Sequence, residues 1–550
     1  MRRVGSPRWP PSTWDKQVLQ QESTPASATS LTQASVSPLA AMLEHLANHR
    51  VGWAAAIILM CAYTTAFAAF SPLPLQDLPG HLARAVAMDD LIFHGGARFG
   101  GVFHYHFLFT PYLLGDLILT SAVGLLGLVA GSAFWSVFVF LALPCAVLFY
   151  LRVRGIAPDR RAFIVLLCLY LATDWFFVVG FMSFRLAVAV TLASLALAEP
   201  LRRNWSRARY ATYICAVIVS YLTHLSTVAF LVAALGVTAI LNLSRRATTL
   251  KVETLLAAPL AALLAWHFAA ARTISEPGDF VANAYLWGTW YSKFARLGNE
   301  FIRYSPRTDA MMVVLLAACM FLIVGRPRVR DFRHPIVTEM LALSVTFVVM
   351  YFVLPIGYSE AWYVDIRPLP LASLFLVFAC LAVPQSDSGG LTVRTSAAVL
   401  LAAVLAIVNL AYLTRHFVHD GQWIARYRAV VAAIPHRGRV LSIFSSGREG
   451  AIVPFMHVDS YATIDREATT PYVFAADNGN PMKYFRYVHR PYDPEQLWYG
   501  DVPPRTVDWT AVARDYDYLL LTEPFDLRRL GLRTNTVARN SSAMLLAIAR

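Results

Sequence analysis

The run Val51-Gly-Trp-Ala-Ala-Ala-Ile-Ile-Leu-Met-Cys-Ala-Tyr-Thr-Thr-Ala-Phe-Ala-Ala-Phe70 and the segment after it, Ser71-Pro-Leu-Pro-Leu-Gln-Asp-Leu-Pro-Gly-His81, set the architecture of this chain. The first carries no charge and matches the roughly 20 helical residues that cross a hydrocarbon core of about 30 Å. The second is polar and proline-rich, so Asp77 lies about seven residues past the end of the first membrane span. Pro79 suits the first turn of a helix. The spacing predicts an amphipathic helix from Pro79 to about Phe93, with Leu82, Val86 and Phe93 facing the membrane. Asp77 then precedes a helix N-terminus, where the positive end of the dipole favours its carboxylate as an anion.

Outward from this stretch, apolar runs recur as far as about Leu413. Candidate spans fall near 51–70, 111–130, 132–151, 162–180, 183–199, 210–223, 225–242, 254–271, 309–325, 336–355, 370–385 and 394–413. Of 550 residues, 57% are hydrophobic and only 15% charged, with a mean hydropathy of +0.51, which excludes an ordinary soluble enzyme. Continuous runs, rather than period-two alternation, exclude a transmembrane β-barrel. The predicted fold class is mainly α, a polytopic transmembrane helical bundle of about 11–13 spans. The net charge of +13 sits in short loops between spans, where it sets topology rather than binding nucleic acid. Cys61, Cys145, Cys168, Cys215, Cys319 and Cys380 all lie in apolar runs without metal-ligand spacing and read as small core residues.

The basic loops 152–161, 202–209, 245–251 and 325–334 are separated by pairs of spans, so they share one face, and their charge makes it cytoplasmic. That count fails near the N-terminus if both 111–130 and 132–151 cross. The expectation is one net crossing over 111–151, with one segment short, re-entrant or lying along the interface. Asp77, His81, His104, His106, Asp174, Arg185, His224, Glu360, Asp365 and Arg367 then gather at the extracytoplasmic end. Charges at membrane depth persist mainly where they line a cavity or pair with one another. Residues 1–37 read as a disordered cytoplasmic tail, 38–413 as the transmembrane domain and 414–550 as a small extracytoplasmic α/β domain. Within the last, Arg439–Phe444, Tyr516–Leu521 and Ala543–Ile548 read as buried strands and Thr506–Arg514 as a helix.

Several of these residues have the chemistry of a site. Asp77 is placed to take a proton from an acceptor hydroxyl as a general base, or to terminate the loop by satisfying free backbone N–H groups. His81 either shares that proton or a divalent metal, or is structural. His104-Tyr-His106 puts two imidazoles on one face of an extended strand, as metal sites do, or forms an interfacial aromatic cluster. Asp174 and Arg185 flank the turn Gly180-Phe-Met-Ser183, as an ion pair or as substrate contacts. In Tyr358-Ser-Glu-Ala-Trp-Tyr-Val-Asp-Ile-Arg-Pro-Leu-Pro370 the planar fork of Arg367 suits a phosphate at headgroup depth, unless it pairs with Asp365 or Glu360. Trp287, Trp290, Tyr291, Lys293, Arg296 and Arg303 suit an interfacial segment that grips a lipid head or stacks on a sugar.

An acidic loop after the first span, interfacial helices, about a dozen spans and a C-terminal domain together resemble the GT-C superfamily of polytopic glycosyltransferases. The likeness is architectural over 51–550 and local around Asp77 and Asp365-Ile-Arg-Pro-Leu-Pro370. Where that family often has two adjacent acids in the first loop, Gln76 precedes Asp77 here. The resemblance implies a multi-pass enzyme of the plasma or inner membrane that takes a sugar from a polyprenyl-phosphate carrier. The acceptor would be an envelope glycan, lipid or protein. Asp77, with His81, would be catalytic, and Arg367 with Arg185 would bind the donor phosphate. Asp174, His224, Glu360, Asp365, His104 and His106 would line the cavity. A transporter or flippase using Asp174, Arg185 and His224, and a non-catalytic envelope assembly protein, are the competing readings.

Overall fold

The computed structural model describes residues 49–105, 107, 109–156, 160–274, 285–325, 329–358, 361–383, 391–443, 451–473, 482–484, 490–492, 504–522 and 532–549. Among them, eight helices are long and apolar enough to cross a membrane. These are α1 (His49–Ala69), α3 (Leu113–Arg154), α6 (Met182–Arg203), α8 (Leu225–Ser244), α9 (Leu250–Ile274), α11 (Pro306–Val324), α12 (Pro335–Val353) and α14 (Leu391–Val431). The shorter α4 (Arg161–Leu171), α7 (Arg207–Thr223) and α13 (Leu369–Ala382) complete the bundle. At 1.5 Å per residue α4 covers only about 16 Å. From Ala162 onward it is buried by its neighbours, so its length need not match a lipid core.

α3 is two helices in sequence. Gly127, at φ 79° and ψ 168°, reverses the chain. A Cβ placed on Gly131 would lie 2.6 Å from the Ala122 carbonyl oxygen, whereas residues nine apart in one straight helix are separated by about 13 Å. Residues 113–126 therefore form a short leg folded back on the longer 128–154. This reversal fits the expectation of one net crossing over 111–151, with the break at Gly127 instead of near 131.

Beside the four basic loops, buried ion pairs tie the helix ends together. Arg154 of α3 holds Glu199 of α6 at 2.7 Å and Glu339 of α12 at 2.6 Å. Arg202 of α6 holds Glu253 of α9 at 2.8 Å, and Arg245 donates to the Pro335 carbonyl at 3.3 Å. The expectation that ionisable groups inside the bundle gather at one end is corrected here. A second network, built on Glu199, Glu253 and Glu339, neutralises the arginines at the other.

At the Asp77 end, α2 (Leu78–Phe93) does not lie against lipid as expected. Leu82 and Val86 are buried, and only Phe93 of the three is exposed. The helix packs against α3 and against α15 (Ser460–Arg466) of the C-terminal part, which covers the face assigned to the membrane.

A small sheet joins β2 (Tyr285–Leu286), β3 (Gly357–Tyr358) and β4 (Ala361–Trp362), and the C-terminal part holds a four-stranded sheet in the order β5 (Val440–Ile443), β7 (Tyr518–Leu521), β9 (Met544–Ile548), β8 (Thr534–Arg539). β5 runs parallel to β7, while β9 is antiparallel to both β7 and β8. The three apolar strands and α16 (Trp509–Asp515) fall where the sequence placed them. β8 escaped because its mostly exposed Thr-Asn-Thr-Val-Ala-Arg carries no apolar alternation. α14 runs unbroken across residue 414 into this part. β1 (Phe103–Tyr105) pairs with β6 (Met482–Tyr484), which stitches the outer loops to the C-terminal part. Cys168 and Cys319 are core residues, but Cys61, Cys145 and Cys215 face outward from the bundle, a correction to their expected burial.

Candidate active site

Asp77 is held between two strips of chain. On one side, its N–H donates to the Val179 carbonyl at 2.8 Å, at the end of α5 (Trp175–Val179). Gly180 closes that contact at φ +90°, and a Cβ there would come within 3.1 Å of the Asp77 and Leu78 nitrogens, so only glycine fits. On the other side lies the segment 451–457. The Val453 N–H donates to Gln76 Oε1 at 2.8 Å, Gln76 Nε2 reaches the Met456 sulfur at 3.4 Å, and His457 Nε2 is 3.8 Å from Asp77 Oδ1. Gln76 Nε2 also donates to Asp77 Oδ1 at 3.3 Å.

The Asp77 carboxyl is 3% exposed and caps no backbone N–H of α2. Burial pushes its pKa up to about 8, with Gln76 opposing the rise. The expectation of an anion favoured by the helix dipole is thus corrected: desolvation outweighs a helix terminus. One turn along, the His81 N–H donates to the Asp77 carbonyl at 3.2 Å, and His81 Nδ1 lies 3.1 Å from Arg84 Nη2. Arg84 is in turn ion-paired to Asp116. Burial, then Arg84 and His457, hold His81 well below the usual imidazole range.

Arg367 sits on the far side of the same turn. Its guanidinium is 5.9 Å from the ring centres of Phe181 and of Phe184, and Nη2 donates to the Trp362 carbonyl at 3.0 Å. Nη1 lies 3.1 Å from His224 Nε2, while His224 Nδ1 accepts from the Ser226 N–H at 3.1 Å. A neutral imidazole has one donor and one acceptor nitrogen, so Nε2 carries the hydrogen and two donors face each other. Burial, with Arg367 second, keeps His224 neutral. Among the described residues no carboxylate touches Arg367. Asp365 is instead bound by Arg296 at 2.6 Å and approached by Lys293 at 4.0 Å, and Glu360 lies outside the described residues.

Asp174 and Arg185 do pair, at 2.7 Å. Asp174 also caps α5 through the Phe177 N–H at 3.1 Å, and Arg185 donates to the Leu171 carbonyl at 2.9 Å. They border a cavity of about 10 Å³ closed by Glu300 and Ser373, room for about one water. His104 lies on β1, opposite Lys483 of β6, and His106 is outside the described residues. Among the described residues no three His, Cys, Asp or Glu side chains converge as a metal site would need. Trp287, Trp290 and Tyr291 are exposed, as an interfacial segment requires, while Lys293 turns inward to the Tyr351 and Phe352 carbonyls at 3.0 Å.

Sequence reasoning missed His457, the bridging role of Gln76, and the acids and bases that neutralise Asp365 and Arg84. His457 follows Asp77 by 380 residues in a stretch without spacing, motif or charge pattern, and nothing local signals it.

No protein-family model and no curated protein sequence matches the chain. Its fold does have counterparts. The crystal structure of ArnT from Cupriavidus metallidurans bound to undecaprenyl phosphate matches with a TM-score of 0.51 at 12% identity, over 89% of this chain and 97% of that one. The apo state of the same protein gives 0.47 at 12% identity, over 85% and 93%. The chain thus shares the overall fold of ArnT, a bundle with eight helices long and apolar enough to cross a membrane among the described residues.

Proposed function

We propose that this protein is an inverting membrane glycosyltransferase. It would move a sugar from a polyprenyl-phosphate-linked donor to an envelope glycan, lipid or protein acceptor at the extracytoplasmic face. The observation that carries the reading is the pairing of two unlike groups across the Gly180–Phe181 turn: a buried carboxyl, Asp77, and a buried cation without an acid partner among the described residues, Arg367. ArnT, the fold's counterpart, is bound to undecaprenyl phosphate, which supports a polyprenyl carrier here.

The ionised Asp77 takes the proton of the acceptor hydroxyl. The freed oxygen bonds to the anomeric carbon, and the bond from that carbon to the phosphate oxygen breaks, its electron pair leaving with the polyprenyl phosphate. Negative charge grows on that leaving group, where Arg367 and the Nε2–H of His224 both aim donors. Arg185, neutralised by Asp174, supports the wall of the site rather than the phosphate. Against the transporter reading, Asp174 and Arg185 compensate each other beside a cavity with room for about one water.

The test is reconstitution of the purified protein with polyprenyl-phosphate-linked sugars carrying a labelled sugar. Release of free polyprenyl phosphate together with label on an acceptor supports the reading. Solute uptake without sugar transfer would assign the chain to the transporter class.

A further inference from the structure

We infer that Tyr112 is a further donor-binding residue, its phenol O–H meeting the phosphate of the lipid-linked sugar beside Arg367 and His224. The inference rests on the reading of those two residues as the phosphate site. Tyr112 lies in the segment between β1 and α3, and its ring stands against the His224 imidazole, with centroids 4.6 Å apart and planes at 77°. Phe184 meets the same imidazole at 5.5 Å, and His224 Nε2 faces Arg367 Nη1 at 3.1 Å. Tyr112 is half-buried, and its phenol makes no hydrogen bond among the described residues. A residue with a hydrogen to give therefore adjoins two donors that already oppose each other.

The backbone gives the second reason. At φ 75° and ψ −18°, Tyr112 is in the left-handed region, where a β-carbon crowds the carbonyl oxygen and glycine or asparagine is favoured. A tyrosine persists there only when its surroundings over-determine it, as they do at binding sites. Both flanks are pinned. Upstream, the Phe109 carbonyl accepts from Trp266 Nε1 of α9 at 3.2 Å and from the Tyr221 hydroxyl of α7 at 3.4 Å, and the Phe109 ring stacks on Tyr221 at 5.6 Å. Downstream, Asp116 is ion-paired to Arg84, and Gly115 lies so close to Ser183 that a Cβ would overlap Oγ. Between these anchors a glycine would make the turn with less strain, and a phenylalanine would pack on His224 equally well. What tyrosine adds is the O–H. A phosphodiester has two free oxygens that share one negative charge, enough acceptors for three donors, and the leaving phosphate gains a second charge as the bond to the anomeric carbon breaks. Tyr112 keeps its proton throughout.

The experiment uses the full-length protein in lipid, with a labelled polyprenyl-phosphate sugar and its acceptor, and compares wild type with Tyr112→Phe and Tyr112→Asn. Phe keeps the ring, so its Tm should match wild type, while kcat/KM for the donor falls roughly 10- to 100-fold, the range for a hydrogen bond to a charged group. Inhibition by free polyprenyl phosphate should weaken in the same variant, and the acceptor KM should stay unchanged. Asn takes the left-handed backbone more easily and removes both ring and hydroxyl, so its loss should be at least as large. Wild-type donor use by either folded variant overturns the inference. So does a loss of donor use with inhibition by polyprenyl phosphate intact, which would assign Tyr112 to the sugar. Unchanged donor use in Arg367→Ala, by contrast, overturns the phosphate site itself.

Discussion

Arg367 Nη1 and His224 Nε2 face each other at 3.1 Å as two donors, because His224 Nδ1 is committed to the Ser226 N–H. An arrangement of that kind is relieved by an anion between the nitrogens, and headgroup depth is where a polyprenyl phosphate presents one.

Removal of the fork by Arg367→Ala should raise the donor KM roughly 10- to 100-fold, with the acceptor KM nearly unchanged. Arg367→Lys keeps the charge but loses the planar fork, so its effect should be intermediate. His224→Phe should raise the donor KM about tenfold, the loss of one hydrogen bond to a charged group. Steady-state kinetics with the donor varied at fixed acceptor decides it. An unchanged donor KM in Arg367→Ala excludes the phosphate role.

Arginines that have their acids should behave differently. Arg154 holds both Glu199 and Glu339; Glu199 keeps Arg202 and Arg203, but Arg154→Ala strands the buried Glu339 carboxylate and should cost about 3–5 kcal/mol of stability. The readout is Tm in detergent, with residual activity per folded molecule near wild type. Arg367→Ala, which breaks no ion pair among the described residues, should leave Tm within a few degrees. A reversed order of the two Tm values contradicts this division of labour.

The raised pKa of Asp77 has a signature in stability. In the unfolded chain the carboxyl titrates near 3.8, and in the folded protein near 8. Between those values the unfolded state has lost a proton that the folded state retains, so wild-type stability falls as pH rises. Asp77→Asn lacks this dependence. Its Tm advantage over wild type should widen from about pH 4 to about pH 8 and level off above, as scanning unfolding across that range will show. A Tm difference independent of pH would mean that Asp77 is not held protonated.

Topology follows from charge and from the ion pairs at the two ends. Cysteines introduced at Ala97 and Asn535 should react with an impermeant thiol reagent on intact cells, and one at Ala247 only after permeabilisation. Labelling of Ala97→Cys and Ala247→Cys from the same side would break the single net crossing assigned to 111–154.

How far the sequence reached can be seen element by element. Long apolar runs and loop charge gave the bundle, its two ends and the single crossing near Gly127, because lipid imposes simple rules on length and sign. Asp77, Asp174, Arg185, His224, Asp365 and Arg367 stood out as costly groups beside apolar runs, and the structure places them at one end. Their partners were not legible. Arg296 reaches Asp365 across 69 residues, and His457 reaches Asp77 across 380. The buried face of α2 was read as lipid-facing because an apolar stripe is the same whether lipid or protein covers it.

The central claim is that Asp77 is the base for transfer from a lipid-linked sugar, and Asp77→Asn tests it most directly. The amide keeps the shape and the contact with Gln76 but cannot accept the proton. With the purified, folded variant and a labelled polyprenyl-phosphate sugar, turnover should fall about 10²- to 10⁴-fold while the donor still binds. Turnover within a few-fold of wild type would contradict the account and leave Asp77 as a residue that only ends the loop before α2.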